Sequence, residues 1–203
     1  ATIQNNIISG NTAVDDGGGI YAYSYTSSDT NRARVHLELA NNRIVGNTAR
    51  SGGGGVYVQG NSSTSYSQRG ATTFQIRNNH VSKNRALSEG GGIWVYFYHA
   101  SFRGGGKASY IRGNDICGNN ATYGYPGLLV NLNDTPSSTL GITNNVFAGN
   151  WTLRNSSMSE TAAGIYLRAD NSSPTINFLN NTVTANHGYG LEADFDGETG
   201  DFT

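Results

Sequence analysis

The chain has 203 residues, a formal net charge of −1 and only 13% charged residues, so it carries no electrostatic footprint for nucleic acid or an anionic membrane surface. No apolar run reaches the roughly 18 residues that a membrane-spanning helix needs, and the single cysteine, Cys117, excludes an internal disulfide framework. Abundant Asn, Ser and Thr and 28 glycines against 3 prolines would fit disorder, were the apolar residues not so regularly spaced.

The chain opens on a short strand, Thr2-Ile3-Gln4, and runs into Asn6-Ile7-Ile8-Ser9-Gly10-Asn11. A glycine run with an apolar residue follows, Gly17-Gly18-Gly19-Ile20-Tyr21. Next comes an apolar pair of period two, Leu37 and Leu39, and the first pattern returns as Asn42-Arg43-Ile44-Val45-Gly46-Asn47. The cycle repeats through Gly53-Gly54-Gly55-Val56-Tyr57, Phe74 and Ile76, and Asn79-His80-Val81-Ser82-Lys83-Asn84. It repeats again through Gly90-Gly91-Gly92-Ile93-Trp94, the weaker pair Ser109 and Ile111, and Asn114-Asp115-Ile116-Cys117-Gly118-Asn119. Looser copies bring Gly127-Leu128-Leu129 with Asn145-Val146-Phe147-Ala148-Gly149-Asn150, and Gly164-Ile165-Tyr166 with Asn181-Thr182-Val183-Thr184-Ala185-Asn186. Gly190-Leu191-Glu192 closes the series, and the first asparagines of the six copies stand 36, 37, 35, 31 and 36 residues apart.

Each unit thus holds three short strands of period-two apolar character separated by turns, with no helical periodicity. Such a unit buries its apolar face only by stacking on its neighbours, so the expected fold is an all-β solenoid. It is a single domain over residues 1–203: a right-handed, single-stranded parallel β-helix of about six coils and three parallel sheets. The asparagines Asn6, Asn42, Asn79, Asn114, Asn145 and Asn181 would form a ladder at the turn between the second and third strands. Their side chains would bond along the axis, and Asn tolerates the left-handed backbone of a sharp turn. Asn11, Asn47, Asn84, Asn119, Asn150 and Asn186 would form a second ladder. The glycine runs precede no helix and match no phosphate-binding fingerprint.

The repeat resembles the right-handed parallel β-helix repeat shared by pectate lyases, polygalacturonases and many bacterial surface proteins. The pairing of Gly-Gly-Gly-(Ile/Val) with (Ile/Val/Phe)-x-x-Asn also resembles passenger domains of chlamydial polymorphic membrane proteins. There the motifs are Gly-Gly-Ala-(Ile/Leu/Val) and Phe-x-x-Asn; here only Phe147-Ala148-Gly149-Asn150 fits the second strictly, and the first has Gly in place of Ala. The resemblance covers essentially the whole chain and implies a fold rather than a chemistry, because this scaffold hosts lyases, hydrolases, adhesins and structural proteins.

In the enzymes of this fold the site lies on the outer face of the first strand, here the Gly-Gly-Gly-Ile-Tyr segment. Alternation points Ile20, Val56, Ile93, Leu128, Ile165 and Leu191 inward, so Tyr21, Tyr57, Trp94, Leu129, Tyr166 and Glu192 point out. Tyr23, Tyr96, Arg168 and Asp194 lie two residues further on the same face. The aromatic stripe of Tyr21, Tyr57, Trp94, Tyr166, Tyr23 and Tyr96 is the candidate binding surface, for sugar rings or a protein partner; the plain alternative is that the following loops bury it. The central coils show no aspartate cluster of the kind a polysaccharide hydrolase needs. A minimal lyase-like pair is Arg168 with Asp194, one coil apart. The tail residues Asp194, Asp196, Glu198 and Asp201 are a weak candidate for Ca²⁺; the plain reading is a solvated polar segment. His36, His80 and His99 show no metal-ligand spacing, and Cys117, expected to face outward or sit in a bulge, has no evident histidine partner, so no metal or cofactor is expected.

No capping helix precedes Ile3, and the chain stops where, in repeat phase, it begins. The expectation is therefore a segment of a longer rod or a subunit that self-associates head to tail through open β-helix ends. The function expected is a non-catalytic extracellular or cell-surface structural or adhesive β-helix, with glycans or a host or cell-surface protein as further partners. The alternative is a carbohydrate-binding or polysaccharide-cleaving β-helix that uses the aromatic stripe.

Overall fold

The computed structural model describes residues 1–26, 34–62, 71–98, 108–135, 139–152, 162–172, 174–196 and 201–202. They form a parallel β-solenoid, and among them there is no helix. One coil runs through the strands Ile20–Thr26, Arg34–Ala40, Arg43–Val45 and Thr48–Ala49 before Val56–Ser62 starts the next. Stacking these four positions gives four sheets, of six, seven, six and five strands respectively, rather than the three read from the sequence. The extra sheet is built from two-residue strands such as Arg85–Ala86, which are too short to display a period.

Among the described residues every pairing between coils is parallel, and apart from a register shift between Ala162 and Ile165 the coils stack in phase: Ile44 lies opposite Val81, Val81 opposite Ile116, and Ile116 opposite Phe147. Period-two alternation then sends one set of side chains into the bore. Leu39, Ile44, Val56, Ile76, Val81, Ile93, Ile111, Ile116, Leu128, Phe147 and Ile165 are all fully buried there. Leu191, in the last copy, is partly buried and packs against this core. The bore is filled locally by large rings, with Phe74 and Phe97 centred 5.5 Å apart. Gly60 makes room for them, since a Cβ there would lie 2.8 Å from the Phe97 ring.

Both asparagine ladders are present. The Asn79 Nδ2 donates to Leu39 O at 2.9 Å and to Asn114 Oδ1 at 3.0 Å. Its own Oδ1 accepts the backbone N–H and the Nδ2 of Asn42, at 2.9 and 3.0 Å. Asn84 repeats this in the second ladder, donating to Ile44 O and Asn119 Oδ1 and accepting twice from Asn47. Both amide hydrogens and both oxygen lone pairs are used, which is the full capacity of the group.

The strained backbone sits one residue earlier than expected. The left-handed residues are Asn5, Asn41, Asn78, Asn144 and Asn180, at φ 53–60°, with Gly113 at 65° in the remaining copy. Each immediately precedes a ladder asparagine, so the ladder residue supplies hydrogen bonds and its predecessor supplies the turn. Before the second ladder the same role falls to Gly10, Gly46, Gly118 and Gly149, and to the less suited Lys83 and Ala185 at 54° and 52°.

The C-terminal segment, read from the sequence as solvated and polar, carries strand. The strand Tyr189–Asp196 runs on through Phe195, and Asp201–Phe202 pairs with Thr175 and Ile176.

Candidate functional site

Three outward features were expected to carry chemistry: the aromatic stripe, the Arg168 and Asp194 pair, and the acidic tail. The stripe divides in two. Tyr21, Tyr23 and Tyr25 are each about half exposed, whereas Tyr57 and Tyr166 retain only 5% and 6% of their surface. Tyr21 stacks on Tyr57 at 5.5 Å and 3°, and Tyr57 meets Trp94 edge-on at 5.2 Å. What covers the middle of the stripe is the turn before each first strand. Gly52 lies so close under Trp94 that a Cβ would stand 2.0 Å from the indole. Tyr125, itself left-handed at φ 54°, stacks on Tyr166 at 4.1 Å, and Tyr125 and Trp94 both pack against the buried cluster of Leu129 and Tyr166. Tyr96, two residues beyond Trp94, is partly covered. Burial, with Asp16 nearby, raises the Tyr57 phenol above its ordinary value. Burial, with Tyr125 and Asp194, does the same for Tyr166.

Arg168 and Asp194 are cross-strand partners as expected, but each has another bond. The Arg168 Nε reaches Asp170 Oδ2 at 2.8 Å, and this hydrogen bond raises the guanidinium further. Asp194 Oδ2 accepts the Tyr166 hydroxyl at 3.1 Å. Glu89, raised by burial and eased back by Arg168, adds a third carboxylate to this end of the stripe. The acidic tail is dispersed: Asp194 and Asp196 lie on one strand, Asp201 belongs to a different sheet, and Glu198 lies outside the described residues. His99 lies outside them too.

A fourth feature corrects one part of the reading of His80 and Cys117, the lack of a histidine partner for the cysteine. The strands His80–Ser82 and Asp115–Cys117 pair in register, with His80 opposite Asp115 and Ser82 opposite Cys117. The inward residues are Val81 and Ile116, so all four partners share the outer face. His80 Nδ1 lies 2.7 Å from Asp115 Oδ2, and His80 Nε2 lies 2.8 Å from Ser82 Oγ. Ligand atoms of His80, Asp115 and Cys117 all fall within 4.8 Å of one another. Burial and the neighbouring Asp115 carboxylate push the Cys117 thiol up, and Lys83 pulls it partly back. Cys117 therefore does face outward, and it does have a histidine close by. The signal was present in the repeat: laying Asn79-His80-Val81-Ser82 over Asn114-Asp115-Ile116-Cys117 places these side chains together.

At the first coil a cleft of about 270 Å³ opens beside Ile3, Tyr21, Tyr23, His36 and Gln59.

With this geometry, the comparison with known families is direct. The right handed beta helix region matches residues 1–199, and the chain belongs to that family. No curated protein and no solved structure matches the chain.

Proposed function

We propose that the chain is a structural segment of an extracellular β-helical rod, non-catalytic and extended coil upon coil through its end faces. The observation that carries this reading is the uniformity of the stacking. Among the described residues every inter-coil pairing is parallel, the register shifts only between Ala162 and Ile165, the two asparagine columns run through all six copies, and each sheet begins on a strand of the first coil. That coil presents an apolar end, where Ile3 and Ile8 are only partly buried against the core. A further coil, from the same chain or a second copy, would satisfy these edges with the same pattern used inside. The contact between copies is heterologous and non-closing, so it makes rods rather than rings.

Sedimentation over a wide concentration range, with electron microscopy, tests self-stacking. The expected result is concentration-dependent rods that Ile8→Lys shortens. A monodisperse monomer at all concentrations would sink self-association.

A second reading rests on Tyr21 and Tyr23, half-exposed and stacked at the first-coil cleft. Aromatic faces of this kind stack on sugar rings. Glycan binding abolished by Tyr23→Ala, or cleavage of a polysaccharide lost with Arg168→Ala, would favour it over the structural role.

A further inference from the structure

We propose that His80, Asp115 and Cys117 form a binding site for a zinc-type divalent transition-metal ion, with Ser82 as the positioning residue behind the histidine.

The donor set is one imidazole nitrogen, one carboxylate oxygen and one sulfur. This mixed set suits a borderline-soft ion such as Zn²⁺ rather than Ca²⁺ or Mg²⁺, which take oxygen ligands. The three side chains project from two adjacent strands of the rigid outer sheet, held in register by Val81 and Ile116 buried beneath them. Metal–ligand bonds of about 2.0–2.3 Å place tetrahedral ligands roughly 3.3–3.8 Å apart. The present ring, with all atoms within 4.8 Å, reaches that size by small side-chain rotations. The His80 and Asp115 side chains are 37% and 48% exposed, so an ion can reach them from solvent.

The fourth residue separates a metal site from a chance encounter of polar groups. Metal-binding histidines usually anchor their second nitrogen to a protein acceptor, which fixes the tautomer and aims the other nitrogen. Ser82 Oγ occupies that place at His80 Nε2 and is itself buried. Without an ion, Nδ1–H donates to Asp115; with one bound, the ring proton would sit on Nε2 and be donated to Ser82, and the Nδ1 lone pair would face the ion held between it, Asp115 and Cys117. On binding, Cys117 loses its thiol proton to solvent. Thiolate, carboxylate and neutral imidazole around a dication sum to zero charge. This neutrality limits the repulsion from Lys83 and from Arg43, which lies opposite His80 on the next strand. Three protein ligands leave a fourth position for water.

The order Asp115, His80, Ser82 also follows the connectivity of a hydrolytic triad, but Ser82 retains only 4% of its surface and is a poor candidate for attacking a substrate.

Cobalt titration of the reduced full chain provides the test, because Cys117 is the only cysteine and any thiolate-to-Co²⁺ charge-transfer band reports on it alone. The expected result is one Co²⁺ per chain with that band, displaced by Zn²⁺. Cys117→Ser should abolish the band, Asp115→Asn should weaken binding tenfold or more, and Ser82→Ala should weaken it about 10- to 100-fold. Circular dichroism and an unchanged melting transition would establish that each variant folds. Absence of Co²⁺ uptake, uptake without the thiolate band, or a band that survives both His80→Gln and Asp115→Asn would overturn the proposal. Hydrolysis of an activated ester that depends on Ser82 without any metal uptake would overturn it too.

Discussion

The corners of the coil and its outer sheet faces obey different rules. At the corners, six coils repeat one solution: a left-handed residue, then a ladder asparagine, whose four hydrogen-bonding positions are all filled in the four interior copies by the coils above and below. On the faces, the coils vary. The first sheet carries Tyr21, Tyr57 and Trp94, then Leu129 and Tyr166, while the third sheet gathers His80, Asp115 and Cys117 on two strands only. Stacking constrains what points inward or turns a corner and leaves the outward positions free. Uniformity therefore reports on stability, and departures from it report on chemistry.

The sharpest way to break this contrast is to remove one corner residue. Asn84→Ala would take one donor each from Ile44 O and Asn119 Oδ1, and leave the backbone N–H and one Nδ2 hydrogen of Asn47 without their acceptor. Each buried unsatisfied group costs about 1–3 kcal/mol, so a total loss of roughly 3–5 kcal/mol is expected in urea unfolding. A nearby face substitution such as His80→Ala should cost under about 1 kcal/mol. Equal losses at the two positions would refute the division.

A smaller effect is expected where a turn leans on a face. Gly52→Ala places a methyl group into the Trp94 indole and should cost about 1–3 kcal/mol, as overpacked sites do. In a Trp151→Phe background the emission of Trp94 should shift as the ring is displaced. An unchanged spectrum and stability would mean that the cover over the stripe is loose.

The covered tyrosines give a pH signature. Their phenols are raised in the folded chain, so the folded state favours the protonated form. That stabilisation is complete below the unfolded value near pH 10 and is lost progressively as pH rises above it. The melting temperature should therefore hold level toward pH 10 and then fall, and Tyr57→Phe with Tyr166→Phe should lessen the fall. The smallest effect lies in the turn itself. Lys83→Gly relieves a left-handed lysine and should stabilise by under about 1 kcal/mol, since part of the relief is offset by glycine's greater freedom when unfolded. A loss of stability there would show that Lys83 contributes more than its backbone.

The sequence was most informative where the repeat acts. Ile44, Val81 and Ile116 could be assigned to the bore and Asn42, Asn79 and Asn114 to a ladder, because each position recurs at one coil's spacing. The fourth sheet was invisible, since strands such as Thr48–Ala49 contain one inward and one outward residue and no period. Which residue takes the left-handed backbone was also missed: Asn78 and Asn79 are chemically alike, and only the geometry separates their roles. The cover over Trp94 and Tyr166 depends on which way a turn leans, and periodicity does not encode that. The His80, Asp115 and Cys117 cluster was within reach, because overlaid copies already juxtapose it. Judging histidines by their spacing along the chain, rather than by their phase in the repeat, hid it.

The two asparagine columns bind each coil to its neighbours at a sequence distance of 31 to 37 residues. Length is therefore a modular quantity in this molecule. Excising residues 79–113, one full period of 35 residues, would bring Asn114 into the place of Asn79 beside Asn42, with the bore, the corners and all four sheets still in phase. A deletion of half that length would set corners against strands and destroy the stack. A gene encoding such a chain can grow or shrink by whole coils through recombination between its own repeats, and at each step the product remains a foldable protein of a different reach.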